Sequence, residues 1–142
     1  MRRSGAFRGV LLALLVLLVP QFVLGMVINL DIPFPGTLHG VHAWQWALAQ
    51  SVIALHIALG TLLVLLTVGA VGLGIAMRRL APLLSSVLGC VLLLLTWVSG
   101  YLFLTEGQQN VRSLTMALGF LGALITYAVG YYVTRPQESA RD

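Results

Sequence analysis

Residues 49–77 read AQSVIALHIALGTLLVLLTVGAVGLGIAM, and this stretch decides the class of fold. It holds no Asp, Glu, Lys or Arg, and none occurs anywhere between Asp31 and Arg78. About 20 apolar residues in an α-helix cross the hydrocarbon core of a bilayer. A longer charge-free run therefore implies a transmembrane helix that is tilted or projects beyond the core.

The same pattern recurs on both sides. Residues 10–30 form a first charge-free run, preceded by Arg2, Arg3 and Arg8; residues 83–104 and 113–133 form a third and a fourth. The breaks between them are turn-forming or polar. Asp31-Ile32-Pro33-Phe34-Pro35-Gly36 ends the first run, Arg78-Arg79 and Pro82 end the second, Thr105 to Asn110 the third, and Arg135-Pro136 the fourth. The expected fold is a single all-α domain over residues 1–142, an antiparallel up-down bundle of four transmembrane helices. Its loop 31–48 is an outer segment, and residues from 134 onward form a tail, disordered from Gln137 to Asp142. Within that loop, His39, His42, Trp44 and Trp46 suit the headgroup level, and a short interfacial segment is expected there.

Composition agrees. Hydrophobic residues make up 59% of the chain, charged residues 8%, and the mean hydropathy is +0.99, too little polarity to face water all round. The net charge of +4 arises from arginines set singly or in pairs between apolar runs, which suits membrane flanks and not a nucleic acid. The single cysteine, Cys90, excludes an intramolecular disulfide and a Cys-x-x-Cys pair.

Arginine placement sets the expected orientation, because short cytoplasmic loops retain positive charge. Arg2, Arg3, Arg8, Arg78, Arg79, Arg135 and Arg141 fall on one face and only Arg112 on the other. Both termini are then cytoplasmic, in a plasma membrane and most naturally a bacterial inner membrane. The rival for the first run is a cleaved signal peptide ending near Val23-Leu24-Gly25. Against it, apolar character continues through Met26-Val27-Ile28.

Helices associate in lipid through small residues that let backbones approach. Ala49, His56, Gly60, Thr67 and Gly74 share one face of the second helix. Ser85, Gly89, Leu93, Thr96 and Gly100 do so on the third, and Thr115, Gly119, Ala123, Thr126 and Gly130 on the fourth. These faces are expected to meet, with the Leu- and Val-rich first helix more peripheral.

Apart from Cys90, His56 is the only ionisable side chain placed well inside the bundle, one or two turns from the outer end of its helix, and an intramembrane histidine suggests function. The ordinary alternative is a structural hydrogen bond to Thr96, Ser99 or Thr115. His56-Ile57-Ala58-Leu59-Gly60 is a His-x3-Gly pattern whose glycine could leave room for a flat macrocycle. In this one helix the chain resembles b-type heme bundles such as cytochrome b561 and heme A synthase relatives. The resemblance implies heme b with a second axial ligand. The third and fourth helices contain no histidine, which leaves Met116 as the available partner. A quinone site could instead combine His56 with Trp97 or Tyr101. His39 and His42, with Asp31, are candidate metal ligands, though zinc usually takes three protein ligands.

No Gly-rich phosphate loop, His-Glu-x-x-His, Gly-x-Ser-x-Gly or pair of buried carboxylates is present. Without an intramembrane carboxylate or arginine, an ion or proton pathway lacks its usual groups. The expected role is that of a non-enzymatic or accessory membrane subunit, in contact with lipid and with a membrane-protein partner or a second copy. The alternative is a heme- or quinone-linked electron-transfer protein using His56.

Overall fold

The protein is described by a computed structural model over residues 2–135. The remainder of the tail, residues 136–142, lies outside the described residues. Within them the chain is all-helical: α1 (Arg2–Asp31), α2 (Gly40–Ala49), α3 (Ser51–Met77), α4 (Leu80–Thr105) and α5 (Asn110–Val133).

Four of these helices, α1, α3, α4 and α5, are long and apolar enough to cross a membrane, with mean hydropathies from 1.6 to 2.7 over their most apolar windows. Only 17% to 22% of each window is buried inside the bundle. Leucines such as Leu65, Leu80 and Leu118 point outward instead. Each large aliphatic side chain kept in water forgoes about 1.5–3 kcal/mol of burial, so a surface of this kind is built for lipid.

Helix boundaries follow local chemistry. α1 begins at Arg2, a full two turns before the charge-free run, because its arginines find partners. Arg3 Nη1 donates to the Ala76 carbonyl at 3.1 Å, one of the unpaired carbonyls at the C-terminal end of α3. The Arg8 guanidinium lies 4.5 Å from the centre of the Tyr131 ring. α4 likewise starts at Leu80, before Pro82, since proline in a first turn gives up only an N–H that has no helical partner. At the α3–α4 link Arg78 takes left-handed backbone, φ 52°. α2 is a separate ten-residue helix, divided from α3 by extended backbone at Gln50.

Interhelical contacts form a closed ring, α1 to α3 to α4 to α5 and back to α1. Gly25 faces His56 and Gly60 faces Gln21; Gly119 faces Thr96 and Gly130 faces Ser85. In each pair of helices the partner's number falls as the residue number rises, so ring neighbours run antiparallel. The α4–α5 contact is the most extensive and the α1–α5 contact the thinnest of the four.

Small residues create the closest approaches. A Cβ on Gly74 would sit 2.6 Å from Ser86 Oγ, and one on Gly130 2.7 Å from Ser85 Oγ. At Gly89 a Cβ would overlap the phenol ring of Tyr127, which is fully buried and reaches across the ring of helices to hydrogen-bond Thr67 Oγ1 of α3. α1 is no peripheral helix: Phe7, Leu11, Leu14 and Leu18 are fully buried and join Leu63, Ala70, Leu93, Ala123 and Tyr127 in one core. Its bulky residues fill what the glycine faces of the other three leave open.

A second core lies at the other end. Ile28, Ala43, Ala47, Ile53 and Leu104 pack there with Phe34, Trp44 and Trp46. The loop after α1 and the short α2 thus fold over the end of the bundle opposite Arg3 and Arg8.

Candidate binding site

Between the two cores the bundle is not filled. A cavity of about 730 Å³ separates them, within the range of small-molecule sites. Leu18, Leu63 and Leu93 of the first core make its floor, and Ile28, Ile53, Leu104, Phe34 and Trp44 of the second its roof. All four long helices supply its walls, and most of the lining side chains are apolar.

The roof is aromatic. Phe34 packs edge-on to Phe103 at 5.5 Å and against Trp46 at 5.6 Å; Trp44 meets Tyr101 at 5.7 Å. Trp97 stacks on Tyr101 at 6.4 Å, and its indole N–H donates to Thr61 Oγ1 at 3.3 Å. Prolines at 33 and 35 prevent helical continuation after α1, which turns Phe34 back over the bundle.

The polar centre is a pair of reciprocal motifs. Gln21 and Gly25 stand one turn apart on α1, and His56 and Gly60 one turn apart on antiparallel α3. A Cβ on Gly25 would lie 3.2 Å from His56 Cε1, and one on Gly60 3.0 Å from Gln21 Nε2. Each glycine therefore makes room for the other helix's polar side chain. Gln21 Nε2 and His56 Nε2 are 3.2 Å apart.

With the amide nitrogen facing the ring, the amide N–H is the donor and the imidazole Nε2 the acceptor. The imidazole proton then resides on Nδ1. His56 Nδ1 and Gln21 Oε1 are both buried with no hydrogen-bond partner, although buried polar groups are rarely left so. The pair thus holds one spare donor and one spare acceptor on residues that line a largely apolar cavity.

Of the residues singled out in the sequence, His56, Met116, Trp97 and Tyr101 all line this one cavity. Met116 Sδ rests against Gly100, 3.2 Å from the position of a Cβ there. The structural hydrogen bond expected from His56 to a hydroxyl of α4 or α5 goes instead to Gln21. Thr96 and Thr115 bond to carbonyls of their own helices, at Leu92 and Val111. Gln21 was the missed residue, and its signal was legible: a lone amide in the middle of an apolar span, with glycine one turn on, mirrors His56 and Gly60.

His39 and His42 lie apart from the cavity. Both are exposed, His39 immediately before α2 and His42 in its first turn. Among the described residues no group of three or more His, Cys, Asp or Glu side chains converges on a metal-sized site.

A heme meets three obstacles in this arrangement. His56 Nε2 already accepts from Gln21 and Nδ1 carries the proton, so no ring lone pair is free for iron. The space beside Gly60 holds the Gln21 amide, and no Arg or Lys lines the cavity to balance propionates. A neutral ligand with a hydrogen-bonding head needs neither a free ring lone pair nor a balancing cation. Compared with known proteins, the chain matches no family model, no curated protein and no solved structure.

Proposed function

We propose that this membrane protein binds a neutral, lipid-soluble quinone or quinol in the cavity between its four long helices. The observation that carries the reading is the Gln21–His56 pair, whose spare donor and spare acceptor belong to residues of an otherwise apolar, aromatic-walled site. Neither atom has exposed surface, so side-chain rotation turns the Nδ1–H of His56 to a quinone carbonyl and Oε1 of Gln21 to a quinol hydroxyl as the ligand binds. Trp97 and Tyr101 offer flat walls for the ring. The protein acts as a binding protein in its own right. Its small residues Gly74, Gly89, Gly119 and Gly130 are spent on contacts within the chain, which leaves Leu- and Val-rich faces suited to lipid.

In this reading the arginine-rich end, with both termini, faces the cytoplasm and the cavity lies toward the outer leaflet, as the seven-to-one distribution of arginine supports. Trp97 and Trp44 line the cavity, so a short-chain ubiquinone or menaquinone analogue should quench tryptophan fluorescence saturably in nanodiscs. His56→Leu and Gln21→Leu should each weaken that binding. Quenching that stays linear with quinone concentration and is unchanged by both variants would exclude the reading.

Heme b is the second reading, favoured by one observation: Met116 Sδ and His56 line the same cavity. It requires Gln21 to release His56. A reduced-minus-oxidised visible spectrum of protein from heme-replete cells decides it, since only a heme gives Soret and α bands that disappear in His56→Ala.

A further inference from the structure

We infer that the cavity is entered sideways from the bilayer, through the seam between α1 and α5, and that the paired rings of Phe22 and Phe120 form its gate. The inference rests on the ligand reading above for what passes, but on separate observations for where it passes.

The end of the cavity toward loop 31–39 is shut by the aromatic roof, in which Phe34 packs on both Trp46 and Phe103. The opposite end is shut by the fully packed core around Leu14, Leu18, Leu63 and Tyr127. Among the side walls, α1–α5 is the thinnest seam in the ring. Its contacts at the arginine end are firm, with Arg8 over Tyr131 and Leu11 against Gly130. Farther along, Phe22 meets Phe120 at 5.4 Å between ring centres. Beyond that pair, Met26 of α1 and Ala117 of α5 line the cavity and are also exposed on the surface. Phe22 itself is 52% exposed. The seam is therefore zipped only at the arginine end, and on both sides of the two rings, at Val19 and Leu121 as at Met26 and Ala117, cavity-lining residues also reach the lipid-facing surface. Two phenylalanine rings are held there by no hydrogen bond, and rotation about their side-chain torsions is all that opening requires. A molecule arriving this way never leaves an apolar medium until its head reaches Gln21 and His56.

Two measurements test the gate. In nanodiscs, stopped-flow quenching by decylubiquinone should show association and dissociation both faster by about fivefold or more in Phe22→Ala and in Phe120→Ala, and slower in Phe22→Trp. The dissociation constant should change much less than either rate. The second measurement needs no ligand. In a Cys90→Ser background, the thiol introduced by Met116→Cys should react with an apolar maleimide at a rate raised by Phe22→Ala and by the milder Phe22→Leu, and should resist a charged methanethiosulfonate. Rates unchanged by the Phe22 and Phe120 variants but raised by Phe34→Ala would place entry at the roof and overturn the inference. Should wild-type protein bind no quinone, the ligand reading fails while the maleimide rates still decide the gate.

Discussion

Adding one methyl group at Gly89 should loosen the whole bundle, and Tyr127 is the reason. A Cβ built on Gly89 falls inside the contact radius of the Tyr127 ring and 2.7 Å from its hydroxyl oxygen, whereas non-bonded carbon contacts settle at about 3.5–4 Å. The ring cannot step aside: Tyr127 is fully buried, and its hydroxyl is tied to Thr67 on the far side. The backbones of α4 and α5 must separate by about an ångström, at the most extensive helix contact in the molecule. Overpacking of this kind costs about 1–3 kcal/mol, and loss of the Tyr127–Thr67 bond adds about 0.6 kcal/mol, the average for interhelical hydrogen bonds in a membrane. Gly89→Ala should therefore destabilise the protein by about 1.6–3.6 kcal/mol. The assay is reversible unfolding in mixed micelles of increasing SDS fraction, run as a double-mutant cycle with Tyr127→Ala. With the ring gone, Gly89→Ala should cost about 0.5 kcal/mol or less, a coupling of about 2 kcal/mol between the sites. Equal cost in both backgrounds would refute the packing described for the core.

Other consequences follow from the same contacts. Gly60→Leu should expel the Gln21 amide from its niche and abolish saturable quinone quenching, while melting shows the bundle still folded. Gly25→Val should displace the His56 ring and weaken quinone binding about tenfold, the equivalent of one hydrogen bond of about 1.4 kcal/mol; unchanged affinity would show that ring placement is irrelevant. Tyr127→Phe should destabilise by no more than about 1.7 kcal/mol in the same SDS titration, because the ring still fills the core. In whole cells a membrane-impermeant thiol reagent should label His42→Cys and spare Arg79→Cys in a Cys90→Ser background; the reverse pattern would invert the orientation.

Much of the architecture could be read from charge-free runs, because a bilayer forces long apolar helices and places their ends at charges and turns. The glycine faces of α3, α4 and α5 were legible for the same reason, since close approach needs Gly, Ser or Thr at helical spacing. What escaped was set by partners far along the chain. α1 carries no conspicuous small-residue face, so its leucines gave no sign that they fill the core against Tyr127. The early start of α1 depends on the carbonyl of Ala76, and no pattern near Arg3 reveals that acceptor. At the site, His56, Met116, Trp97 and Tyr101 were each legible singly as unusual residues in the halves of their helices remote from the arginine-rich end. Their convergence on one cavity, and the place of Gln21 at its centre, depend on the registry of antiparallel helices. That registry is fixed by which side chain each glycine admits.

The most direct test of the central claim is photoaffinity labelling in nanodiscs with an azido-quinone, mapped by peptide mass spectrometry. Adducts are expected on cavity residues of several helices, such as Phe22, Trp97 and Met116, suppressed by excess unlabelled quinone and lost in His56→Leu. Adducts confined to outward-facing residues such as Leu65 or Leu118, and not suppressed by competitor, would contradict it.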